Sequence, residues 1–208
     1  QYLPKERNIW LVASTHKGDE AIALNAFKKL ITKFPDLLLV IVPRHPERFS
    51  TIAELCVNQE FSVVKRSENK VITHENIWLL DSLGELMAAF ALSDIVTMGG
   101  SFSGDIGGHN PLEPALFKKP IIVGNDMSNF AEVMQQLHHD NALIQLSIPA
   151  TTSNVDEQVK ALHGAVSNLL KSPEQQQILG QRAHNVVLTN QGASNITLEY
   201  VKALQQSD

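Results

Sequence analysis

Residues 95–114, IVTMGGSFSGDIGGHNPLEP, place two glycine pairs between an apolar run and a helix start. The run Ile95–Met98 is predicted to be a buried strand, and the glycines that follow allow a tight turn because they have no Cβ. A helix that begins near Pro111 would direct its free N–H groups and the positive end of its dipole towards an anion. The stretch therefore indicates either a phosphate-binding loop of an α/β protein or a plain glycine-rich turn from a strand into a helix.

Strands and helices alternate along the rest of the chain, which predicts an α/β fold with a doubly wound parallel sheet. The first helix is the clearest, because apolar residues recur at helical spacing from Ala23 to Phe34. Asp19 can cap its start and Pro35 stops it. The apolar runs that predict buried strands are Ile9–Ala13, Leu37–Val42, Ser62–Lys65, Ile77–Leu80, Ile95–Met98, Pro120–Val123 and Ala142–Leu146.

The last part of the chain is predicted to be helical. A helix near Val155–Leu170 is followed by one that begins at Ser172-Pro173-Glu174-Gln175, a capping box with proline at the first helical position. A last helix is expected at about Ala193–Gln205, and the polar segment Ser147–Asn154 is interpreted as a loop rather than a domain linker. With no internal repeat, the 208 residues fit one domain, 1–208.

Composition excludes several classes of function. A formal net charge of -5 argues against non-specific binding to DNA or RNA, whereas a nucleotide needs only local positive groups. The single cysteine, Cys56, cannot form an internal disulfide, and it shares a helical face with Ile52 and Ala53, which predicts a core position. No apolar stretch is long enough to span a bilayer and no signal-type region follows Gln1, so we expect a soluble chain.

Polar loops follow the predicted strands, at the edge of the sheet where ligands bind in open parallel sheets. They are Ser14–Asp19 after the first strand, Pro43–Arg48 after the second, Asp81–Glu85 after the fourth, and the glycine pairs after the fifth. Four such loops at one edge predict a binding site. The first loop has no G-x-G-x-x-G and the chain has no G-x-x-x-x-G-K-[ST], so a mononucleotide sugar fits better than NAD or a P-loop nucleotide.

Three charged residues next to these loops receive separate predictions. Arg44, between two prolines, could make a two-pronged contact with a phosphate or carboxylate, or else a surface salt bridge. Arg48, one helical turn further on, is expected to be a solvated partner of Glu47 or Asp36. Glu113 stands in the first turn of the helix after the glycine pairs, where its carboxylate could accept hydrogen bonds from sugar hydroxyls or cap the helix.

Five short motifs follow the predicted strands in order along the chain. They are Ser14-Thr15-His16, Pro43-Arg44-His45-Pro46-Glu47-Arg48-Phe49, Asp81-Ser82-Leu83-Gly84-Glu85-Leu86, Gly99-Gly100-Ser101 and Gly107-Gly108-His109-Asn110-Pro111-Leu112-Glu113. Together they resemble the 3-deoxy-D-manno-octulosonic acid (Kdo) transferases of lipopolysaccharide assembly, and the resemblance covers nearly the whole chain.

The resemblance implies that residues 1–208 form a single Rossmann-like domain, the C-terminal, donor-binding half of a GT-B glycosyltransferase. The N-terminal half, absent from this chain, would hold the membrane anchor, the lipid A acceptor site and the acidic catalytic base. The implied reaction is the transfer of Kdo from CMP-Kdo to a lipid A precursor at the cytoplasmic face of the bacterial inner membrane, without a metal or other cofactor. No catalytic residue is therefore expected here, and this chain alone should transfer nothing.

The resemblance also implies how the donor is held. Gly99, Gly100 and Ser101 would present backbone N–H groups and a hydroxyl to the CMP phosphate, and Asn110 would continue that cradle. Glu113 would hold the ribose hydroxyls. The other donor-binding residues implied in this way are Ser14, Thr15, His16, Arg44, His45, Ser82, Gly84, Glu85 and His109.

The resemblance implies roles for Arg44, for the turn Ser82–Glu85 and for the three histidines. Arg44 would meet the phosphate or the Kdo carboxylate, and the turn Ser82–Glu85 would line the cytosine. The histidines His16, His45 and His109 would donate to donor oxygens or orient neighbouring loops.

Two alternatives to this reading stay open. Three histidines at one edge could instead form the site of a metal-dependent hydrolase, although no Asp-x-Asp or His-Glu-x-x-His spacing accompanies them. A non-catalytic nucleotide-binding module would make the same ligand contacts. The loop between the glycine pairs departs from the family, because Asp105 stands where a basic residue is common, so we expect it to face solvent or to meet Arg44.

Overall fold

The computed structural model describes the backbone of residues 7–147 and 155–205, and the side chains of residues 7–147 and 155–190. The strands are β1 Ile9–Thr15, β2 Leu38–Pro43, β3 Val63–Lys65, β4 Ile77–Leu79, β5 Ile95–Met98, β6 Ile121–Val123 and β7 Ile144–Gln145. The α-helices are α1 Asp19–Leu30, α2 Phe49–Asn58, α3 Leu86–Leu92, α4 Leu112–Leu116, α5 Ala131–His139, α6 Val155–Leu170 and α7 Pro173–Gln205. Short 3-10 helices occupy Pro46–Arg48, Arg66–Glu68 and Ser128–Phe130.

The strands form one parallel sheet in the order β3-β4-β2-β1-β5-β6-β7. Strands β2, β4 and β3 lie in that order on one side of β1, and the chain then crosses back to add β5 on the other side. The loops after β1 and β5 therefore border a crevice at the carboxyl edge, which is where ligands bind in such sheets. The predicted α/β fold with a doubly wound parallel sheet is confirmed, and each predicted strand is present with ends that differ by at most two residues.

The five central strands are buried on both faces, as a sheet covered by helices requires, whereas the edge strands β3 and β7 are partly exposed. On β1, Trp10 and Val12 face one core, while Leu11 and Ala13 face the other, because successive side chains of a strand point to opposite sides. Helices α1, α2 and α6 cover the first face, and α3, α4, α5 and α7 cover most of the second. Cys56 of α2 is fully buried in the first core, as predicted.

The structure corrects two expectations about helix ends. Gly18 occupies the N-cap position of α1, and Asp19 is the first residue of the helix rather than its cap. The separate helix expected at Ala193–Gln205 is the last part of α7, because one glycine inside a helix costs only about 1 kcal/mol and does not interrupt it. The cap at the start of α7 is confirmed, since the Gln175 N–H donates to Ser172 Oγ over 3.3 Å.

Two further expectations concern the loop before α6 and the absence of a membrane-spanning segment. Most of the predicted loop Ser147–Asn154 lies outside the described residues. Within the residues that the structure describes, none of the helices combines the length and the apolar character needed to cross a bilayer.

Candidate functional site

Asp19 ties together the two loops that border the crevice. Its Oδ2 accepts hydrogen bonds from the His16 N–H at 2.8 Å and from the Gly100 N–H at 2.7 Å. The side chain is only 2% exposed, and burial raises the pKa of Asp19 to about 6 against the opposing effect of these two hydrogen bonds. Its Oδ1 is buried and has no hydrogen-bond partner among the described residues. The loop after β1 and the loop after β5 are thus held by one carboxylate.

The first glycine pair shapes the loop after β5 and does not offer its donors to a ligand. The Gly99 N–H donates to Ala13 O at 2.7 Å, and the Gly100 N–H is taken by Asp19. A Cβ on Gly99 would lie 2.7 Å from Ser14 O, so only glycine permits this approach of the two loops. The expectation that these two N–H groups cradle a phosphate is therefore corrected.

Ser101, Ser14 and Thr15 are buried, and the hydroxyls of Ser101 and Thr15 are bonded within the protein. Ser101 Oγ donates to Met98 O at 2.7 Å and accepts from the Gly124 N–H at 2.8 Å, with no exposed surface. The Thr15 hydroxyl donates to Glu20 Oε1 at 2.6 Å. The hydroxyls of Ser101 and Thr15 are thus occupied inside the protein, which corrects their expected role as direct ligands of a donor.

The second glycine pair is fastened to the first pair and to the loop after β6. The Gly108 N–H donates to Gly100 O at 2.9 Å, and the Gly107 N–H donates to Asp126 Oδ2 at 2.9 Å. The Asn129 side chain donates to Ile106 O at 2.7 Å, which fixes the end of the intervening loop. In that loop Asp105 is exposed to solvent, one of the two positions expected for it.

Three histidines from three loops meet above this framework, as expected. His16 Nε2 and His109 Nε2 are 2.9 Å apart, and their rings are nearly parallel with centroids 5.1 Å apart. His45, in the loop after β2, places its ring edge-on to His16 at 5.2 Å. Burial and the charges of His16, Arg44 and His45 lower the pKa of His109 to about 4. Burial also lowers the pKa of His16, and nearby positive groups lower it further.

Arg44 and Glu113 border the histidines on the side of α4. Glu113 is half-buried in the first turn of that helix, and burial raises the pKa of its carboxyl while the charge of Arg44 lowers it. Arg44 is exposed, and no side chain within the described ranges accepts a hydrogen bond from its guanidinium. Asn110 Oδ1 accepts a hydrogen bond from the Leu112 N–H at 3.1 Å at the start of α4, and its amide nitrogen has no partner among the described residues.

Arg48 is not a solvated partner of Glu47 or Asp36, which corrects that expectation. Its Nη1 and Nη2 donate to Glu20 Oε1 and Oε2 at 2.7 and 2.9 Å, and Nη1 also donates to Thr15 O at 3.1 Å. Glu20 is 1% exposed, so the pair lies inside the protein beside the histidines. Sequence reasoning missed Glu20, although two consecutive acids after a glycine at the end of a strand were visible in the sequence.

The turn Ser82–Glu85 is ordered by polar contacts that the sequence did not predict. Ser82 Oγ donates to Glu85 Oε2, and Glu85 Oε1 accepts from Arg66 Nε at 3.1 Å. Gly84 has a positive φ of 82° and is exposed at the tip of the turn. The turn leads into α3, which packs against α4, so it lies on the Glu113 side of the crevice.

The geometry does not provide the ligand set of a metal site. The two closest imidazoles bond to each other, and no three His, Cys, Asp or Glu side chains in the described part of the chain are grouped to hold a metal ion. The site instead combines one free guanidinium, three imidazoles and one carboxylate at the switch point of a doubly wound sheet. A doubly wound parallel sheet with polar loops at its switch point is the Rossmann-like architecture of the C-terminal domains of GT-B glycosyltransferases.

Comparisons with known proteins agree with that class. The chain is 39% identical over 200 residues to the 3-deoxy-D-manno-octulosonic acid transferase of Haemophilus influenzae, which covers 95% of this chain and 44% of that protein. It is 32% identical to the C-terminal CMP-Kdo binding domain of WaaA from Acinetobacter baumannii, with a TM-score of 0.77 over 88% of this chain and 90% of that domain. The chain belongs to the 3-deoxy-D-manno-octulosonic acid transferase family, and it matches the C-terminal domain of the Acinetobacter member.

A more distant structure shares the fold alone. The pneumococcal O-GlcNAc transferase GtfA is 12% identical, with a TM-score of 0.64 over 97% of this chain and 37% of that protein. No protein-family model matches the chain. The chain spans 44% of the length of the Haemophilus relative, so more than half of that relative has no counterpart here.

Proposed function

We propose that this chain binds CMP-Kdo as the donor-binding domain of an enzyme that transfers Kdo to a lipid A precursor. The observation that carries the proposal is the convergence of Arg44, His16, His45 and His109 with Glu113 at the carboxyl edge of the sheet. Cationic and imidazole donors suit a phosphate and a sugar carboxylate, while a half-buried carboxylate suits ribose hydroxyls. The similar Acinetobacter domain, described as CMP-Kdo binding, supports the same ligand.

Within this proposal, the expected donor-binding residues divide into contacts and framework. Arg44 and the histidines meet the phosphate and the Kdo carboxylate, Glu113 holds the ribose, and the turn Ser82–Glu85 lines the cytosine. Asn110 contributes its amide nitrogen. The residues that shape the crevice from inside are Ser14, Thr15, Gly99, Gly100 and Ser101.

The proposal for the whole enzyme rests on the family. Residues 1–208 would fold as one domain, and a preceding domain would hold the acceptor site, the catalytic base and the contact with the membrane. The transfer would take place at the cytoplasmic face of the inner membrane, and neither a metal nor a nucleic acid takes part. The exposed guanidinium of Arg44 supports this, because protein donors can stabilise the leaving phosphate in place of a cation.

CMP is expected to raise the melting temperature of this chain. A ligand that binds only the folded state stabilises it by RT ln(1 + [L]/Kd), about 2.7 kcal/mol at a hundredfold excess over Kd. AMP should have a much smaller effect, because the turn Ser82–Glu85 is proposed to line a cytosine and a purine would bring a second ring against it. Scanning calorimetry with each nucleotide, with and without EDTA, measures both effects.

The same experiment contains the outcomes that contradict the proposal. Equal increases in melting temperature with CMP and AMP would contradict a site specific for a pyrimidine. An increase that disappears in EDTA would favour the metal-dependent alternative. With CMP-Kdo and a lipid A precursor, this chain alone should give no transfer product, because the base and the acceptor site would lie in the other domain.

Glu113→Gln is expected to weaken CMP more than the deoxyribose nucleotide dCMP. The carboxylate would accept from both ribose hydroxyls, and one hydrogen bond to a charged group contributes about 1.5–3 kcal/mol. Titration calorimetry with both nucleotides measures the difference. Arg44→Ala is the matched control, because it should weaken CMP and dCMP equally and leave cytidine, which has no phosphate, almost unchanged. Equal losses for both nucleotides in the Glu113 variant would mean that the acid serves only α4.

A further inference from the structure

A closed circuit of hydrogen bonds runs through the two imidazoles that lie 2.9 Å apart. Asp19 Oδ2 accepts from the backbone N–H groups of His16 and Gly100. Gly100 O in turn accepts from the Gly108 N–H, and the next residue, His109, returns to the His16 ring. Asp19 therefore joins the backbone segments that carry the two rings. It binds the His16 segment directly and the His109 segment through Gly100 and Gly108.

The ring of His109 also packs on Gly100. A Cβ added to Gly100 would lie 3.1 Å from His109 Cδ2 and 2.9 Å from Ile106 Cγ2, so the absence of a side chain there sets how deeply the ring sits. These backbone contacts and the packing against Gly100 restrict where the two imidazoles can lie relative to each other. Such a restricted arrangement is what a pair that shares one hydrogen requires.

The Nε2–Nε2 contact constrains the charge of the pair. Of two facing ring nitrogens, one donates its hydrogen and the other accepts it, so the hydrogen bond exists only while at least one ring is neutral. The groups around the pair come from four elements. They are Arg44 and His45 after β2, Arg48 at the start of α2, Glu20 and Asp19 on α1, and Glu113 on α4.

The balance of these neighbours keeps the free pair neutral. Burial and the surrounding positive groups lower the pKa of both His16 and His109, and Glu20, the acid that opposes them at His16, is already engaged by Arg48. An anion placed between Arg44 and the rings would reverse this balance, because a nearby negative charge favours the protonated imidazole.

We propose that His16 and His109 form a proton-accepting pair that recognises a doubly charged phosphate monoester, and that Asp19 is the positioning residue of the pair. The pair is neutral in the free protein and takes up one proton from solvent when the dianion binds, so that both rings then donate to the ligand. Binding of a singly charged phosphodiester is accompanied by less proton uptake. The proposal rests on the proposed nucleotide function and adds how the site distinguishes the charge of its phosphate.

Proton uptake gives the binding a defined pH dependence. Because the bound state holds one proton more than the free state, affinity for CMP falls as pH rises, by up to about tenfold per unit where uptake is complete. The useful window is pH 6.5–8.5, above the pKa of about 6 for Asp19 and above the second ionisation of a phosphate monoester near 6. Titration calorimetry in buffers of different ionisation enthalpy counts the protons directly.

The decisive comparison uses CMP with wild type, His109→Gln and His138→Gln. Wild type should take up nearly one proton per CMP at pH 7.5, and His109→Gln should still bind CMP but with little uptake and a nearly flat pH profile. His138 lies near the end of α5, outside the site, and its ring is hydrogen-bonded to the Gln145 side chain of β7. His138→Gln should therefore match wild type. Cytidine 5′-(methyl phosphate), with one charge, should bind to wild type with a smaller uptake.

Two Asp19 variants test the positioning role. Asp19→Asn keeps a side-chain oxygen that can accept from both N–H groups, so it should retain proton uptake, whereas Asp19→Ala should lose it. Nitrogen NMR shifts of the histidine rings with CMP report the protonated state independently of affinity. If Asp19→Ala fails to fold, Asp19→Asn and His109→Gln still decide the matter.

The outcomes separate this proposal from the proposed function. CMP binding to wild type without proton uptake, or with the same uptake in His109→Gln, would overturn the pair while leaving the nucleotide site intact. Loss of uptake in Asp19→Asn together with normal folding would overturn the positioning role, because the hydrogen bonds remain available. Failure of CMP to bind wild type at all would overturn the proposed function itself.

Discussion

Replacing Arg48 with alanine is expected to lower the free energy of unfolding by about 3–5 kcal/mol. Arg48 makes two parallel hydrogen bonds to Glu20, whose side chain is 1% exposed, and it also donates to Thr15 O. Without the guanidinium, the buried carboxylate of Glu20 would retain the Thr15 hydroxyl as its described donor but would lose its neutralising cation. A charge left in this condition costs far more than the pair itself contributes.

Urea unfolding of the variants measures this loss against a matched surface pair. Lys28 and Glu60 are 4.0 Å apart with most of both side chains exposed, and Lys28→Ala should cost less than about 1 kcal/mol. Adding Glu20→Gln to Arg48→Ala should recover part of the loss, because it removes the unpaired charge. If Arg48→Ala and Lys28→Ala have similar small effects, the ion pair is not an internal one and the account of this loop is wrong.

Gly180→Ala is expected to destabilise the protein by about 3 kcal/mol, the upper part of the range for overpacked sites. Gly180 lies in α7 against the turn after α4, and a Cβ there would overlap Lys118 O and stand 2.5 Å from Lys118 C. These are backbone atoms, so no rotation of a side chain relieves the clash. Either α7 or the turn would have to move, and both belong to the second face of the sheet.

Gly164 of α6 provides the control, because both glycines lie inside helices. A Cβ on Gly164 meets no atom within 4 Å, so Gly164→Ala should stabilise the protein by about 0.5–1 kcal/mol through helix propensity alone. Thermal unfolding of the two variants should therefore show shifts of opposite sign. Shifts of the same sign and size would mean that α7 does not approach Lys118 as closely as the structure has it.

The sequence was sufficient to predict the sheet, because the local pattern of apolar residues indicates which segments are buried. The apolar run Ile95–Met98 and its six counterparts indicated buried strands, and the periodicity from Ala23 to Phe34 indicated the helix that covers them. The rule that ligands bind beyond the carboxyl ends of parallel strands then brought His16, His45 and His109 to one edge before any coordinates were considered. The structure confirms that convergence.

The hydrogen-bond partners of the residues at that edge were not predictable in the same way. The glycines were expected to offer N–H groups to a phosphate, yet the Gly100 N–H belongs to Asp19, which is 81 residues away in the chain. Arg48 was expected in solvent, yet its partner Glu20 is 28 residues away and buried. Both errors have one origin, since a pattern of residue types reports which side of an element is buried but not which atom of a distant segment fills the space.

The sequence by itself therefore determined the strands, most of the helices and the edge at which the polar loops meet, because these follow from local hydrophobic periodicity and from the topology of parallel sheets. Only the tertiary structure decided that Asp19 joins the loops, that Arg48 pairs with Glu20, and that Nε2 of His16 lies within hydrogen-bond distance of Nε2 of His109. Each of these depends on the distance and direction between groups far apart in sequence. Hydrogen bonds are directional and short, so the partner of each group is determined only once the folded chain has brought the distant segments together.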